Sequence, residues 1–156
     1  MMIVDILSKD LIIPHLKSRT RDEVLAELVA RVAEHHKDID GTFALKVLIE
    51  RERIGSTGIG HGIAIPHAKL PVIQRAIACF ARSPEGVEFG SHDGRPTHLF
   101  LTLLAPERGA GLHLKALARA SRLFKDADFR ELLLSCDDSQ KLWSAIYEKD
   151  TKLPTN

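Results

Sequence analysis

Residues 99–105 read LFLTLLA, and this run decides the fold class. Thr102 is its one polar side chain. Successive side chains of a strand point to opposite faces, so a strand made of consecutive apolar residues must be covered on both sides. We therefore expect residues 99–105 to form a strand in the middle of a sheet, with helices packed against both faces.

Three further strands are predicted outward from this run. Residues 75–81 and the short segment 63–65 have the composition of strands, and residues 11–16 form a shorter apolar segment. Pro14 lies inside the last of these, and proline restricts a strand to the edge of a sheet. The segments with turn-forming residues are Pro84–Gly86 and Asp93–Gly94.

Helices are predicted on both sides of the strands in the sequence. Thr20 and Glu23 have the spacing of a capping box, and the apolar spacing after them predicts a helix over residues 20–36. A second helix is predicted from Gly41 to Arg53. Its expected inward-facing residues are Phe43, Val47 and Leu48.

Three short helices are predicted after Gly111, because the apolar period there is again helical. The inward stripes expected for them are Leu114, Leu117, Ala118 and Ser121; Phe129, Leu132 and Leu133; and Leu142, Trp143, Ile146 and Tyr147. These elements predict an α/β domain, a small mixed, mostly parallel sheet of about five strands with helices on both faces. Residues 1–150 are expected to form this single domain, and residues 151–156 a frayed tail.

Bulk composition excludes several classes of function. The 156 residues include 22 basic and 21 acidic side chains, without the basic stripe that nucleic-acid binding requires. No apolar run approaches the roughly 20 residues that span a bilayer, and the first ten residues lack the pattern of a signal peptide. Cys79 and Cys136 read as buried reduced thiols. We expect a cytoplasmic protein that contacts neither nucleic acid nor membrane.

A glycine-rich segment holds the chemistry. Residues 51–70 read RERIGSTGIGHGIAIPHAKL, and the GxxxxG spacing at residues 55–60 resembles a phosphate-binding loop. That loop requires Lys and then Ser or Thr at the next two positions, where this chain has His61 and Gly62. The dinucleotide fingerprint fails as well, because its third glycine would fall at Ile63. We expect no nucleotide and no other cofactor.

The same loop can still surround an anion. Glycines permit close backbone approach and allow amide N–H groups to converge, and hydroxyl side chains add further donors. The candidate donors are Ser56, Thr57, Gly58 and His61.

His67 is the candidate nucleophile. Pro66 forces Ile65 into an extended conformation and removes one backbone donor, so the strand is expected to end there with His67 at its tip. A neutral imidazole is nucleophilic near neutral pH and can form a labile bond to phosphorus. Such a site needs one ring nitrogen free, the other held by a hydrogen bond, and cationic groups around the phosphoryl oxygens.

The segment from Arg51 through GSTGIGHGIAIPHAKL closely resembles the phosphorylation site of the enzyme IIA domains of the bacterial phosphotransferase system, mannitol/fructose class. It is most similar to the nitrogen-regulatory branch, and the resemblance covers almost the whole chain. It implies a mixed, mostly parallel sheet flanked by helices. It also implies a relay of phosphoryl groups from phosphoenolpyruvate, through a first enzyme and an HPr-like histidine phosphocarrier protein. Members of this branch are free-standing and regulate protein targets by contact.

The resemblance also implies three site residues. His67 matches the phosphorylated histidine, Arg51 the arginine that faces it, and His113 the second active-site histidine. The residue types agree with these roles, since a guanidinium offers a forked set of donors for phosphate oxygens. His113 is predicted near a helix start, where free N–H groups favour anions. Two residues depart from the family pattern: His61 replaces the usual asparagine, and His98 a common aspartate.

Two alternatives remain open at this point. The first is a sugar-specific IIA subunit that passes phosphate to the IIB domain of a fructose or mannitol permease. The second is a metal-dependent protein that uses His61 with His67, or His92 with His98. Both pairs have five intervening residues, which matches no standard ligand spacing, so no metal is expected.

Overall fold

The protein folds as one mixed sheet with helices, in a computed structural model that describes residues 1–155 and, of Ala110, the backbone alone. The strands are β1 (Leu7–Ile13), β2 (Gly58–Gly60), β3 (Ile63–Ala64), β4 (His67–Leu70), β5 (Ile77–Val87) and β6 (Thr97–Pro106). The helices are α1 (Arg21–His35), α2 (Gly41–Ile54), α3 (Ala110–Leu123), α4 (Ala127–Ser135) and α5 (Ser139–Lys152). A 3-10 turn, Ile3–Asp5, precedes β1.

The strand order is β1-β5-β6-β3-β2, with β4 also paired to β6. Three pairings are parallel (β1 with β5, and β3 and β4 with β6), and two are antiparallel. Strand β1 lies at one edge and stops just before Pro14. The sheet has six strands where about five were expected, and its predicted class, mixed and mostly parallel with flanking helices, is confirmed.

Strand β6 is the central strand that the apolar run predicted. Every residue from Leu99 to Pro106 is buried, so both faces of this strand are covered. The core against it is mainly aliphatic and includes pairs of packed phenylalanines. Phe89 meets Phe100 edge to face at 5.2 Å, and Phe124 lies 6.2 Å from Phe80 in a stacked arrangement.

Strands β3 and β4 form one interrupted line beside β6. Ile63 pairs with Leu99, and His67 pairs with Leu103 four residues further along. Pro66 breaks the line because it has no N–H to donate, although its carbonyl still accepts from the Leu103 N–H at 2.9 Å. The chain therefore resumes pairing at His67, which begins β4. The expectation that His67 lies at the tip of the preceding strand was wrong in this respect.

Several local predictions were wrong. Thr20 Oγ1 donates to the Glu23 carboxylate at 2.7 Å without capping a backbone N–H, so no capping box forms. Phe43 is exposed at the outer face of α2. The segment Pro84–Gly86 is part of β5, because a register shift between Arg82 and Val87 absorbs the turn-forming residues.

Helix α3 buries a different face from the predicted one. Leu114 is 66% exposed, and Ala118 and Ser121 are exposed too. The buried residues are His113, Ala116, Arg119, Ala120 and Leu123. The predicted apolar stripe is one residue out of phase with the face that is buried, and the buried face includes His113.

A buried ion pair holds α3 against the last helix. Arg119 Nε donates to the Asp150 carboxylate at 2.8 Å, and its Nη1 donates to the Pro154 carbonyl at 2.7 Å. The other carboxylate oxygen of Asp150 accepts from the Val4 N–H at 2.9 Å. Residue 151, the predicted start of the tail, lies inside α5, and Pro154 is tied to α3. Within residues 1–155 no helix has both the length and the apolar character needed to cross a membrane.

Candidate active site

His67 is held in a defined tautomer by its own backbone. Its Nδ1 lies 2.8 Å from the carbonyl oxygen of Ile65. A carbonyl oxygen only accepts hydrogen bonds, so Nδ1 carries the proton and Nε2 keeps its lone pair. The contact lies where Pro66 interrupts the line of β3 and β4, and the His67 ring reaches the carbonyl two residues before it.

His113 faces His67. The two ring centroids are 5.2 Å apart, with the ring planes tilted by 57°. His113 is 9% exposed, and its Nδ1 is buried without a hydrogen-bond partner among the described residues. A buried polar atom without a partner costs on the order of 1–3 kcal/mol, and such atoms recur at functional sites.

Both histidines are tuned toward the neutral form. The pKa of His67 is lowered, chiefly by burial. The hydrogen bond to the Ile65 carbonyl opposes this as the next largest cause, followed by the Arg51 charge, which lowers the pKa, and the Glu52 charge, which raises it. Burial is also the main cause of the lowered pKa of His113, with added repulsion from His67, Lys69 and Arg51. A neutral imidazole is the form that can act as a nucleophile.

Arg51 supplies the cation near the pair. It lies in the last turn of α2, and its Nη1 donates to the Gly55 carbonyl at 2.8 Å. Its charge acts on the pKa values of both His67 and His113, so the guanidinium lies within electrostatic reach of both rings. The one hydrogen bond to Gly55 occupies a single nitrogen of the fork and leaves other donors for a phosphate.

The glycine loop differs from the anion cradle expected from the sequence. The Thr57 N–H donates to the Glu52 carboxylate at 3.0 Å, and the Gly58 N–H donates to Ser56 Oγ at 3.0 Å. These amide groups are satisfied inside the protein and are not free for an anion. The loop acts as a support, since the Thr57 carbonyl accepts from the Ile65 N–H at 3.0 Å.

His61 lies away from His67. It occupies the turn between β2 and β3 with φ of 56° and lines an open cavity of about 350 Å³ with His98, Arg95 and Arg130. Along β6 the His61 turn lies beside His98, whereas His67 pairs with Leu103, five residues or about 16 Å further on. The structure therefore brings together His67, His113 and Arg51, and does not bring His61 or His98 to them.

The metal alternative gains no support from this geometry. The partners of each proposed pair lie on separate segments, and His92 is an exposed loop residue. In the part of the chain that the structure describes, no group of three or more possible metal-binding side chains comes together.

Sequence reasoning missed Glu52. This carboxylate is 4% exposed and lies beside Arg51 on α2. A signal was present, because Ala44, Leu48 and Glu52 follow one another at four-residue spacing and are the buried residues of that helix. A charged residue on a buried stripe is uncommon without a partner.

Comparison with known proteins gives the family. The family model described as "Phosphoenolpyruvate-dependent sugar phosphotransferase system, EIIA 2" matches residues 5–149. The chain belongs to this family. Its general role is therefore that of a phosphocarrier within the phosphotransferase system.

Relatives of two kinds match this IIA chain. A nitrogen regulatory protein of Bradyrhizobium diazoefficiens is 39% identical over 146 residues, which is 94% of this chain and 95% of the relative. A fructose-specific EIIABC component of Bacillus subtilis is 34% identical over 150 residues, which is 96% of this chain but 24% of that longer protein. Among solved structures, the nitrogen regulatory protein IIA-Ntr of Neisseria meningitidis superposes with a TM-score of 0.85 at 28% identity, covering 92% of this chain and 98% of that one.

Proposed function

We propose that His67 accepts a phosphoryl group from the phosphohistidine of an HPr-like phosphocarrier protein and that the chain then regulates nitrogen-related protein targets by phosphorylation-dependent contact. The observation that carries this proposal is the fixed orientation of His67, with Nδ1–H bonded to the Ile65 carbonyl, Nε2 therefore unprotonated, and the ring of His113 5.2 Å away. The proposal places the chain in the cytoplasm with its donors.

The transfer needs no proton to move on His67. The Nε2 lone pair forms the bond to phosphorus while the bond between phosphorus and the donor histidine breaks, and the donor nitrogen keeps that electron pair. Throughout, Nδ1 retains its proton and its hydrogen bond to Ile65. The reaction is therefore a direct exchange of one nitrogen–phosphorus bond for another, helped by positioning and by charge stabilisation.

Arg51 and His113 are the groups suited to the phosphoryl oxygens. A guanidinium binds two oxygens through parallel N–H donors, and its charge offsets the charge that develops during transfer. His113 can donate from a ring nitrogen, and its buried, unpaired Nδ1 shows that the protein itself does not satisfy the ring fully.

Exposed apolar side chains beside the site fit a protein partner. Ile54 follows Arg51 by one turn at the end of α2 and is 84% exposed, and Leu114 adjoins His113 and is 66% exposed. Apolar contacts around a polar centre are typical of protein interfaces. Phosphorylation would add up to about two negative charges to this surface, which is enough to change a protein contact.

The nitrogen-related role rests on the relatives. The Bradyrhizobium relative is covered almost completely by this chain, whereas the fructose-specific relative is a longer protein of which this chain matches one part. A sugar-specific IIA role is the second candidate, supported by that fructose-specific match.

Label transfer tests the phosphocarrier proposal. The chain is incubated with labelled phosphoenolpyruvate, the first enzyme and the HPr-like protein. We expect an acid-labile, base-stable label on the wild type and on His61→Ala, and none on His67→Ala. Equal labelling of His67→Ala would contradict the proposal, as would a wild type that takes no label.

Transfer to a IIB domain separates the two roles. If the regulatory role is correct, the labelled chain should hold its phosphoryl group when a fructose-type or mannitol-type IIB domain is added. Rapid loss of label to IIB, together with sugar uptake that depends on this chain, would instead establish the sugar-specific role.

A further inference from the structure

Glu52 is a buried carboxylate whose oxygens both accept hydrogen bonds from one residue. The Thr57 N–H donates to Oε2 at 3.0 Å, and the Thr57 hydroxyl donates to Oε1. Thr57 is itself 6% exposed, so both partners are withdrawn from water. Buried charges persist only where such hydrogen bonds compensate them.

A continuous path leads from this carboxylate to the reactive imidazole. The Thr57 carbonyl accepts from the Ile65 N–H at 3.0 Å. The carbonyl of Ile65 in turn accepts from Nδ1–H of His67 at 2.8 Å. Three hydrogen-bonded steps therefore connect Glu52, at the end of α2, with His67, at the start of β4.

We infer that Glu52 is a positioning residue of the site, which acts through Thr57 and Ile65 to hold His67 in the Nδ1–H tautomer with Nε2 directed at the phosphoryl donor. A neutral imidazole can carry its proton on either nitrogen, and the hydrogen bond at one nitrogen selects the form. The consequence for phosphoryl transfer rests on the proposed function, but the tautomer is a property of the unphosphorylated chain.

Glu52 and Arg51 are neighbours on α2 but make different contacts. One nitrogen of the Arg51 side chain donates to the Gly55 carbonyl, whereas both carboxylate oxygens of Glu52 accept from Thr57. Both hydrogen bonds of Glu52 therefore go to Thr57, and Glu52 orients the ring through the loop, in addition to the electrostatic effect of its charge on the pKa of His67. A carboxylate is needed because an amide at this position would accept only through one atom and would direct N–H against a Thr57 donor.

Glu52→Gln should change both the tautomer of His67 and the rate of phosphoryl transfer. We expect the Nε2–H tautomer of His67 to rise at the expense of the Nδ1–H form, as measured by nitrogen-15 NMR of the unphosphorylated protein. The phosphoryl-transfer rate constant at saturating donor should fall about tenfold, within the roughly 100-fold that misplacement of a reacting group can cost, with the apparent affinity for the donor unchanged. The control is Glu50→Gln, an exposed position on the same helix.

Two variants of Thr57 keep the test decisive if Glu52→Gln fails to fold. Thr57→Val removes the hydroxyl donor and should shift the tautomer and the rate in the same direction. Thr57→Ser keeps that donor, so its His67 tautomer ratio and its transfer rate should stay close to those of the wild type. A variant that loses the Glu52 contact, melts at a lower temperature, and keeps the wild-type tautomer and the wild-type rate per folded molecule would overturn the inference.

Failure of this inference is distinguishable from failure of the proposed function. If label transfer to His67 does not occur, the proposed function fails while the tautomer measurement stands unchanged. If labelling occurs on His67 and Glu52→Gln matches Glu50→Gln in both tautomer and rate, Glu52 is only a structural anchor of the loop.

Discussion

A pair of histidines lies beside each end of β6, and the two pairs differ in their surroundings. At one end His67 and His113 lie with centroids 5.2 Å apart. At the other end His98 donates from Nδ1 to the Ser83 carbonyl at 2.9 Å, the same kind of contact that His67 makes with Ile65. Selection of a tautomer by a carbonyl is therefore common to both ends and does not by itself make a reactive site.

The surroundings make the difference. The ring of His98 packs on Gly86, where a Cβ would lie 2.9 Å from its Cε1 and 3.2 Å from its Nε2. Its neighbour His61 is exposed in an open cavity that also contains Glu131. Arginines lie near both pairs of histidines, so a cation alone does not distinguish the two ends. His67 differs in the burial that lowers its pKa and in the ring of His113, 5.2 Å from its own. Such surroundings favour the neutral imidazole, which is the nucleophilic form.

Of the substitutions compared between the two ends of β6, those of the arginines should differ most in their effect on the phosphoryl-transfer rate. Arg51→Ala should slow phosphoryl transfer by about 10³-fold, because the charge that stabilises the moving group is lost. Arg95→Ala, in the cavity of His61 and His98, should change the rate less than about twofold, since the proposed mechanism gives that cavity no part in the transfer. Single-turnover kinetics with the labelled donor measure both. Equal effects would remove the distinction between the ends.

Substitutions of His113 and His98 should differ less than those of the arginines in their effect on the transfer rate. We expect His113→Ala to slow transfer by about 10²-fold, as for the loss of one hydrogen-bond donor to a developing charge. His98→Ala should lower stability, because it leaves the Ser83 carbonyl without its donor, while the rate per folded molecule stays unchanged. A slow His98→Ala variant that is fully folded would extend the site to this end of the strand.

Packing at the His98 end can be tested by stability alone. Gly86 has φ of 89°, and a Cβ there would approach both His98 and Pro96 at 2.9 Å. Gly90 has φ of 80° with open space around it. Gly90→Ala should cost about 1 kcal/mol from backbone strain, and Gly86→Ala about 2–3 kcal/mol because overpacking adds to it. The midpoints of urea unfolding measure both, and equal losses would mean that the ring of His98 moves aside freely.

The pH dependence of the free energy of unfolding should reflect His67 and His113, and this effect should be the smallest of those compared. The pKa of His67 and that of His113 are lowered in the folded state, so the unfolded chain binds protons more readily below pH 6.5. Stability from this source is complete above pH 6.5 and declines as the pH falls toward the folded-state pKa values. The double variant His67→Ala/His113→Ala should therefore lose less stability between pH 7 and pH 5 than the wild type. A parallel decline in both proteins would contradict the cited pKa directions.

Much of the fold followed from local pattern, and the error in the face of α3 has a physical cause. The buried strand at residues 99–105 was predictable because its burial on both faces leaves a continuous apolar run. The face of α3 was not, since Leu114 is an apolar residue that the fold leaves exposed and His113 is a polar one that it buries. Departures from the usual pattern of burial are expected at functional sites, and the two residues proposed for partner contact and phosphoryl transfer, Leu114 and His113, both depart from it.

The site divides in the same way. His67 could be singled out as the candidate nucleophile because proline and glycines surround it within a few residues, and that role stays a prediction. The role of the loop was not, because the partner of Thr57 is the buried Glu52, and whether a backbone N–H is already satisfied depends on packing. The separation of His61 from His67 likewise depends on register along β6, which no spacing in the sequence reveals.

The most direct test is to locate the phosphoryl group by NMR on protein carrying nitrogen-15 in its histidine rings. The mechanism predicts that phosphorylation gives a phosphorus–nitrogen coupling at Nε2 of His67, while Nδ1 keeps its proton and its hydrogen bond to Ile65. Coupling at Nδ1 of His67, or at His113 or His61 instead, would contradict it.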